Sequence, residues 1–235
     1  MYKEKKVIAI IPARGGSKGI PNKNIKLVNQ KPLIAYTIEP AKKSKYIDRL
    51  IVSTDSKKIE EVSLDYGAEV PFLRPAELAT DTAKTIDAII YTIDKLKINN
   101  ENYDYVLTLQ PTQPLRTTEQ IDESIKMIVD HDWNSLVSIS RLSTNPILIR
   151  TLKSDGFLKK LLNIRSDVRR QDFDDYYKIN GLIYLNRIDQ LLTNSTSLND
   201  NAHGYVVDSK YDLDIDTPED LEKFEFQVKK NNLSL

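Results

Sequence analysis

The sequence predicts one α/β domain built around a mostly parallel sheet. Short apolar runs rich in β-branched residues recur along the chain, and helix-like segments separate them at about the spacing of βαβ units. The runs are continuous rather than alternating, which is typical of strands buried on both faces. The clearest strands are Val7–Ile11, Leu50–Ser53, Tyr105–Leu109 and Ser135–Ile139.

Helices are predicted between and after these strands, and two further strands precede a last helix. That helix is well delimited, because Thr217 can cap it, Pro218 takes its first position and it runs to about Lys230. The other predicted helices are Pro32–Ser44, Lys57–Tyr66, Lys84–Lys97 and Thr118–Asp130, and the two further strands are Ile179–Leu185 and Tyr205–Asp208.

One stretch departs from the alternation of strand and helix. Residues 151–178 are highly charged and contain few strand-like runs. We interpret them as an excursion from the core, and a solvated surface lobe is the simplest form that it could take.

The composition excludes several classes of protein. In 235 residues, 34 Lys and Arg offset 34 Asp and Glu, so no overall field favours nucleic acid or an anionic membrane. The absence of Cys excludes disulfides and thiolate metal sites. The apolar run Val7–Ile11 is too short for a signal peptide, and no segment approaches the length of a membrane span. We expect a soluble, cytoplasmic protein with neither nucleic acid nor membrane as a partner.

The loop after the first strand is the first candidate site, because ligands of such sheets bind beyond the carboxyl ends of the strands. Residues 12–24 read PARGGSKGIPNKN and combine three of the chain's 7 glycines with Arg14, Lys18 and Lys23. The spacing matches neither the P-loop nor the dinucleotide fingerprint. Glycine and positive charge together suit a phosphate chain, which a loop of this length could wrap. The alternative is a surface loop with solvated lysines.

An acidic pair in the segment LDIDTPEDL is the second candidate site. Asp214 and Asp216 lie two residues apart, so on an extended segment both point to the same side. Two carboxylates suit a hard cation, and Mg²⁺ is the natural choice beside phosphates. The alternative is that either aspartate flanks or caps the following helix.

The segment LQPTQPLR follows the third strand and presents Gln110, Thr112 and Gln113 at its carboxyl end. The alternative is a connector whose next threonines cap the following helix. His131 and His203 have no partner at the spacing of a metal site or a nucleophile and its base. The residues therefore favour phosphate handling with a divalent ion over covalent catalysis.

Six segments in order resemble the acylneuraminate cytidylyltransferases, the CMP-sialic acid synthetases. They are IIPARGGSKGIPNKNI, IVSTDS, RPAELATDTA, LQPTQPLR, NGLIYL and DIDTPEDL, and they cover nearly the whole chain. The resemblance implies a Rossmann-like nucleotidyltransferase core over residues 1–139 and 176–235. It also implies a small inserted dimerisation lobe over residues 140–175, and hence a homodimer.

The resemblance also implies a reaction, in which CMP passes from CTP to the anomeric hydroxyl of a sialic acid or related nine-carbon (nonulosonic) sugar acid such as legionaminic acid. Pyrophosphate is released. By this resemblance Arg14 and Lys18 hold the β- and γ-phosphates, and Lys23 faces the α-phosphate. Asp214 and Asp216 would bind Mg²⁺, with Asp216 counted among the catalytic residues.

The remaining implied contacts divide between the nucleotide and the sugar. Gln110 would contact the sugar, and Arg170 resembles an arginine of the lobe that reaches the sugar site. The implied nucleotide contacts are Gly15, Ser17, Asn24, Arg74, Ala83 and Thr85, and the other implied sugar contacts are Lys178 and Asn180.

Two positions depart from the sialic acid enzymes. Lys178 stands where those enzymes carry Arg, and Lys cannot grip a carboxylate with two parallel hydrogen bonds. Thr85 stands where Ser is common. The first loop also has a form seen in enzymes for legionaminic or pseudaminic acid, so the sugar stays open. A CTP:Kdo-type cytidylyltransferase is one alternative, although NGLIYL and RPAELATDTA favour the nonulosonic acids. The other alternative is a regulatory module that binds CTP without turnover.

Overall fold

The protein is described from a computed structural model, which covers residues 1–17, 19–163, 167, 174–194 and 197–231. Lys18 and Arg170, two of the predicted site residues, lie outside the described residues. The strands within the described part are β1 (Val7–Pro12), β2 (Leu27–Val28), β3 (Lys31–Pro32), β4 (Arg49–Ser53), β5 (Tyr105–Thr108), β6 (Ser135–Arg141), β7 (Arg150–Leu152), β8 (Leu158–Lys160), β9 (Tyr177–Arg187) and β10 (His203–Val206).

The longer helices agree with the prediction to within a few residues at their ends, whereas α5 was not predicted. Thr117 begins α4 with a reciprocal pair of hydrogen bonds to Gln120, and Thr217 accepts the backbone N–H of Asp220 at the start of α6. The helices of the described part are α1 (Ala35–Lys43), α2 (Lys57–Asp65), α3 (Thr85–Ile98), α4 (Thr118–Asp130), α5 (Ile188–Asn194) and α6 (Pro218–Asn231).

The central sheet has the strand order β10-β6-β9-β5-β1-β4. Neighbouring strands are parallel except at β9, which runs antiparallel to both β5 and β6. This architecture confirms the predicted α/β fold with a mostly parallel sheet. It also places β9 between two strands that follow each other in the chain, an arrangement that the alternation of strands and helices did not indicate.

The first strand explains why its sequence is apolar throughout. Residues 7–11 of β1 are fully buried, and successive side chains enter different apolar clusters. Ile11 packs in a cluster with Ile34 and Ile121, whereas Ile10 packs in one with Ile89 of α3. Because side chains alternate across a strand, the two clusters lie on opposite faces of the sheet, and both faces are covered.

The inserted segment carries a small sheet of its own. Strands β7 and β8 form an antiparallel hairpin beyond the end of β6, in the stretch where few strands were expected. Strand β6 continues to Arg141 and β9 begins at Tyr177, so the ends of both strands extend into or close to the lobe expected over residues 140–175. Several large apolar side chains are exposed on this segment: Leu148, Leu152, Phe157, Leu158 and Leu161.

Within the described ranges, none of the helices combines the length and the apolar character needed to cross a bilayer.

Candidate active site

The loops that follow β1 and β5, together with the segment before α3, enclose a cleft of about 440 Å³. The cleft lies where ligands of such sheets bind, at the carboxyl ends of the strands. It brings together predicted residues that are up to about two hundred positions apart in the chain. Those that line it are Arg14, Ser17, Lys23, Asn24, Arg74, Ala83, Thr85, Gln110 and Asp216.

The glycines of the first loop allow close packing against neighbouring protein segments. A Cβ on Gly19 would lie 2.5 Å from the carbonyl oxygen of Asp216, and one on Gly15 would lie 3.0 Å from Cβ of Ser56. The backbone N–H of Gly15 donates to Asp55 at 2.9 Å. The two glycines therefore allow the close packing of the cleft wall. The contact of Gly15 with the nucleotide stays a prediction.

Asn24 also holds the loop together. Its side chain is buried, and its amide nitrogen donates to the carbonyl of Arg14 at 2.9 Å. The backbone carbonyl of Asn24 accepts from Ile34 at the entrance to α1. Asn24 therefore fixes the backbone on which Arg14 is carried, in addition to lining the cleft.

The cations of the cleft are held by neighbouring oxygen atoms. Arg14 donates to the carbonyl of Thr80 at 2.9 Å and pairs with Asp81 at 3.0 Å. Lys23 donates to the carbonyl of Ile215 at 2.7 Å and pairs with Asp216 at 3.0 Å. Both cations are thus oriented, and each has a carboxylate partner that an incoming phosphate could replace.

Arg74 is a buried cation with an incomplete set of partners. Its Nε atom is buried without a hydrogen-bond partner in the described part of the chain, and its nearest carboxylate, on Asp55, is 4.0 Å away. Burial lowers its pKa, the carboxylate of Asp55 opposes that shift, and the charge of Arg14 adds to it. Two guanidinium groups that repel each other across a cleft are arranged to receive an anion.

The acidic pair flanks a buried residue, as the extended spacing predicted. Ile215 is fully buried and its N–H donates to the carbonyl of Thr112, which leaves Asp214 and Asp216 on the other side of the segment. Desolvation raises the pKa of Asp214, a hydrogen bond with Thr112 opposes that shift, and the charge of Asp216 adds to it. The two carboxylates are therefore close enough to repel each other.

The acidic pair has a further carboxylate beside it, because the backbone N–H of Asp216 donates to Asp220. No group of three or more His, Cys, Asp or Glu residues with the geometry of a metal site occurs among the residues described. Mg²⁺ is commonly held by one or two carboxylates together with phosphates of the substrate. The donor set of Asp214 and Asp216 beside a cationic cleft fits such an ion.

A second cavity, of about 350 Å³, adjoins the cleft and shares Gln110 with it. Lys178 pairs there with Asp212 at 2.9 Å, and Asp212 also accepts from Ser140 at 2.5 Å. Asn180 accepts from Leu182 N–H and from the Ser138 hydroxyl. The predicted residues that line this cavity are Gln110, Lys178, Asn180 and Asp214, and Gln113 and Asp212 line it as well.

Arg116 was not predicted as a site residue, yet it connects the segments around both cavities. Its guanidinium donates to the carbonyls of Gln110 and Leu182 at 2.9 Å each, and to the hydroxyl of Thr37 at 2.7 Å. The side chain is fully buried, and burial lowers the pKa of Arg116 to about 9. A cation just before a helix is ordinarily a surface residue, so the sequence carried no signal of this role.

Comparison with known proteins agrees with the fold and identifies a family. The sequence matches the family described as cytidylyltransferase over residues 8–233. A CMP-N,N'-diacetyllegionaminic acid synthase of Legionella pneumophila is 38% identical over an alignment of 222 residues that covers 92% of this chain and 93% of that protein. A pseudaminic acid cytidylyltransferase of Campylobacter jejuni is 31% identical over 97% of this chain and 99% of its own.

Two other proteins are similar to this chain, one in sequence over part of its own length and one in structure over nearly all of it. An N-acylneuraminate cytidylyltransferase of Streptococcus agalactiae is 35% identical over 92% of this chain, which spans about half, 51%, of that protein. A solved structure described as CMP:2-keto-3-deoxy-manno-octonic acid synthetase complexed with CTP superposes with a TM-score of 0.75 at 19% identity. That superposition covers 96% of this chain and 99% of the other, and supports the fold. The resemblance seen in the six sequence segments is confirmed, and the chain belongs to the cytidylyltransferase family.

Proposed function

We propose that this cytidylyltransferase moves CMP from CTP to the anomeric hydroxyl of a nonulosonic acid and releases pyrophosphate. The observation that carries the proposal is the pair of adjoining cavities with Gln110 at their boundary. One cavity has the cations that a triphosphate needs, and the other has a lysine for a sugar carboxylate. The shared wall would bring the sugar hydroxyl and the α-phosphate together. Because CTP is an intracellular nucleotide, the proposed reaction takes place in the cytoplasm.

The proposed chemistry depends on charge neutralisation and on alignment. The anomeric hydroxyl releases its proton to solvent as its oxygen bonds to the α-phosphorus. The bond from that phosphorus to the bridging β-phosphate oxygen breaks, so negative charge grows on the departing pyrophosphate. Arg14 would stabilise that charge, and Lys18 is assigned the same role by resemblance. Lys23 would face the α-phosphate. Holding both reactants in line supplies much of the rate acceleration for such a displacement.

The nucleoside end of CTP would lie along the segment that leads into α3. Arg74, Ala83 and Thr85 line the same cleft as Arg14 and Ser17, so a triphosphate held by the loop would extend its ribose and cytosine toward them. The hydroxyl of Thr85 provides the donor and acceptor that Ser provides in related enzymes.

Mg²⁺ is proposed as the cofactor, and Asp214 and Asp216 would hold it. When bound, it would neutralise phosphate oxygens and lower the pKa of the attacking hydroxyl. Asp216 lines the nucleotide cleft and Asp214 lines the adjoining cavity, so an ion held by both would lie between the two proposed substrates.

The second cavity would hold the sugar acid. Lys178 can receive the sugar carboxylate, and Asn180 and Gln110 line the same walls; Arg170 is proposed as a further contact by resemblance alone. The relatives at 30% identity or more are named for legionaminic, acylneuraminic and pseudaminic acids. These names favour a nonulosonic acid over the eight-carbon acid of the structural neighbour, which shares 19% identity.

A homodimer formed through the inserted lobe is part of the proposal. The described residues of the lobe expose Leu152 and Phe157, at 73% and 61% of their surface, and the exposed Leu158 pairs with Leu152 across the hairpin. Clustered apolar side chains on the surface are typical of an interface between proteins.

The activity is tested by incubating the protein with CTP, MgCl₂ and a panel of sugar acids. The panel contains N-acetylneuraminic, legionaminic, pseudaminic and Kdo acids, and pyrophosphate release is measured. Release with one of the nine-carbon acids is the expected result. Preference for Kdo would favour the alternative enzyme, and CTP binding without release for any acid would favour a regulatory module.

A further inference from the structure

We propose that Arg116 is a positioning residue for the transfer of CMP to the sugar. It holds the backbone of Gln110 close to β9, and the side chain of Gln110 packs against Gly181 in that strand. This inference rests on the proposed transfer of CMP to a sugar acid. It adds a residue that lines neither substrate cavity and that connects the loop after β5, strand β9 and helix α1.

The first step of the argument is the isolation of the Arg116 charge. The side chain is fully buried, and none of the described carboxylates contacts it. A buried cation without an anion is costly, and its charge is stabilised here by backbone carbonyls and one hydroxyl. Such a residue makes a poor stabiliser of the fold, because an apolar side chain of similar size could fill the same volume.

The second step is the identity of the atoms that Arg116 holds. Its NH2 atom donates to the carbonyl of Gln110, and its Nε atom donates to the carbonyl of Leu182 in β9, each at 2.9 Å. The remaining terminal nitrogen is anchored on the hydroxyl of Thr37, a fully buried residue of α1. The planar guanidinium thus fixes the distance between the loop after β5 and the middle of β9.

The third step is the contact between the side chain of Gln110 and Gly181, the residue before Leu182. Gly181 precedes Leu182 and has a φ of +74°, a conformation that favours glycine. A Cβ at Gly181 would lie 2.7 Å from Oε1 of Gln110, so the side chain of Gln110 rests directly on this glycine. Arg116 therefore holds both the residue that lines the two cavities and the surface that supports it.

A small shift of Gln110 would misalign the sugar more than the nucleotide. Within the cleft, CTP would be held mainly by cations on the loop after β1, none of which contacts Arg116 in the described structure. Misplacement of a reactant by about 1 Å can reduce a rate about a hundredfold. Loss of the three hydrogen bonds of the Arg116 guanidinium is therefore expected to raise KM for the sugar acid, while CTP binding is retained.

The test compares Arg116→Lys, Gln110→Ala and the double variant. Lysine keeps the charge but cannot hold three acceptors in one plane. We expect Arg116→Lys to raise KM for the sugar acid about tenfold and to leave the Kd for CTP unchanged. The double variant should behave like Gln110→Ala alone. Multiplying effects in the double variant, or an equal loss of CTP affinity, would overturn the proposal.

Two controls separate positioning from general damage. Arg49→Lys makes the same exchange at an arginine paired with Glu69 and Glu101, far from the cleft in the sheet, and should leave both constants unchanged. If Arg116→Lys does not fold, Thr37→Val takes its place in the test. It removes the hydroxyl that accepts from Arg116 and should raise KM for the sugar acid by a smaller factor. An unaltered KM for the sugar in Thr37→Val would count against the proposal.

A spectroscopic readout keeps this inference separate from the proposed reaction. The side-chain amide resonances of Gln110, assigned through their absence in Gln110→Ala, should move in Arg116→Lys and stay in place in Arg49→Lys. Unmoved resonances overturn the positioning role. If the wild-type protein uses no sugar acid, the reaction fails while moved resonances still support the contact between Arg116 and Gln110.

Discussion

The Nζ atom of Lys23 lies 3.0 Å from Oδ1 of Asp216, so a cation proposed for the α-phosphate is paired with a carboxylate proposed for Mg²⁺. The side chain of Lys23 is 14% exposed and that of Asp216 is 72% exposed. Lys23 is also held by the carbonyl of Ile215. A phosphate could therefore replace Asp216 at Lys23 without moving the lysine, and the carboxylate would become available to a metal.

The first prediction concerns Asp216→Asn. We expect kcat to fall by at least about a hundredfold, since a neutral amide is a weak ligand for Mg²⁺ and the phosphates would lose charge compensation. The melting temperature should change little, because an exposed ion pair contributes at most about 1 kcal/mol. Pyrophosphate release is measured over a range of Mg²⁺ concentrations, with circular dichroism to confirm the fold.

Asp208→Asn is the matched control for that change. Asp208 is an exposed aspartate paired with Lys210 outside the cleft, and its replacement should leave kcat unaltered. Full activity of Asp216→Asn at low Mg²⁺ would show that this carboxylate is not a ligand.

The second prediction concerns the sugar cavity. Lys178→Met should raise KM for the sugar acid about tenfold while KM for CTP stays constant, because it removes a cation that can pair with a carboxylate. Lys178→Arg should retain or improve sugar use, since its fork can bind a carboxylate with two hydrogen bonds. Steady-state kinetics with each substrate in turn distinguishes the two effects. Equal losses for CTP and the sugar would contradict the assignment.

Most strands of the sheet could be predicted because a buried strand is recognisable from a short run of consecutive apolar residues. Strand β1 was recognisable from five consecutive apolar residues, and those residues prove to be buried on both faces. Helix α4 was expected at Thr118, where the described capping by Thr117 begins it. These features depend on neighbours in the chain, which periodicity and capping rules describe directly.

The contacts within the site were harder to predict because they depend on strand order. Strand β9 enters between β5 and β6 and runs antiparallel to both, which brings Gly181 beneath Gln110 across about seventy residues of chain. The hydrophobic periodicity of the sequence does not indicate which strands pair with β9. Arg116 and Asp212 were missed for the same reason, since the partners that give each a role come from distant segments. The resemblance supplied residue roles that local patterns could not.

The third prediction concerns the lobe. Phe157→Asp should convert the proposed dimer into a monomer, because it places a charge within the exposed apolar group of the hairpin. Phe226→Asp is the matched control, as Phe226 on α6 is 63% exposed against 61% for Phe157. Light scattering over a range of protein concentrations gives the mass of each variant. A wild-type monomer at working concentration would contradict the dimer.

The last prediction concerns the stability of the metal-free protein and its dependence on pH. Desolvation and the charge of Asp216 raise the pKa of Asp214 in the folded protein, despite the opposing hydrogen bond with Thr112. A raised pKa means that the folded state binds the proton more tightly than the unfolded chain does. Ionisation of Asp214 therefore costs stability, and the cost grows as pH rises from the ordinary carboxyl pKa through the raised one and is complete above it.

Asp214→Asn should remove that cost, since an amide carries no charge and can still accept a hydrogen bond from Thr112. We expect the variant without Mg²⁺ to melt at a higher temperature than the wild type at pH 7, and the difference to disappear at a pH below the ordinary carboxyl pKa. Thermal melts across pH, followed by circular dichroism, measure both. Activity should be lost in the same variant. The carboxylate that destabilises the metal-free protein when it is ionised is the one proposed to hold the metal. A variant that melts lower than wild type at pH 7 would show that the carboxylate stabilises the empty site.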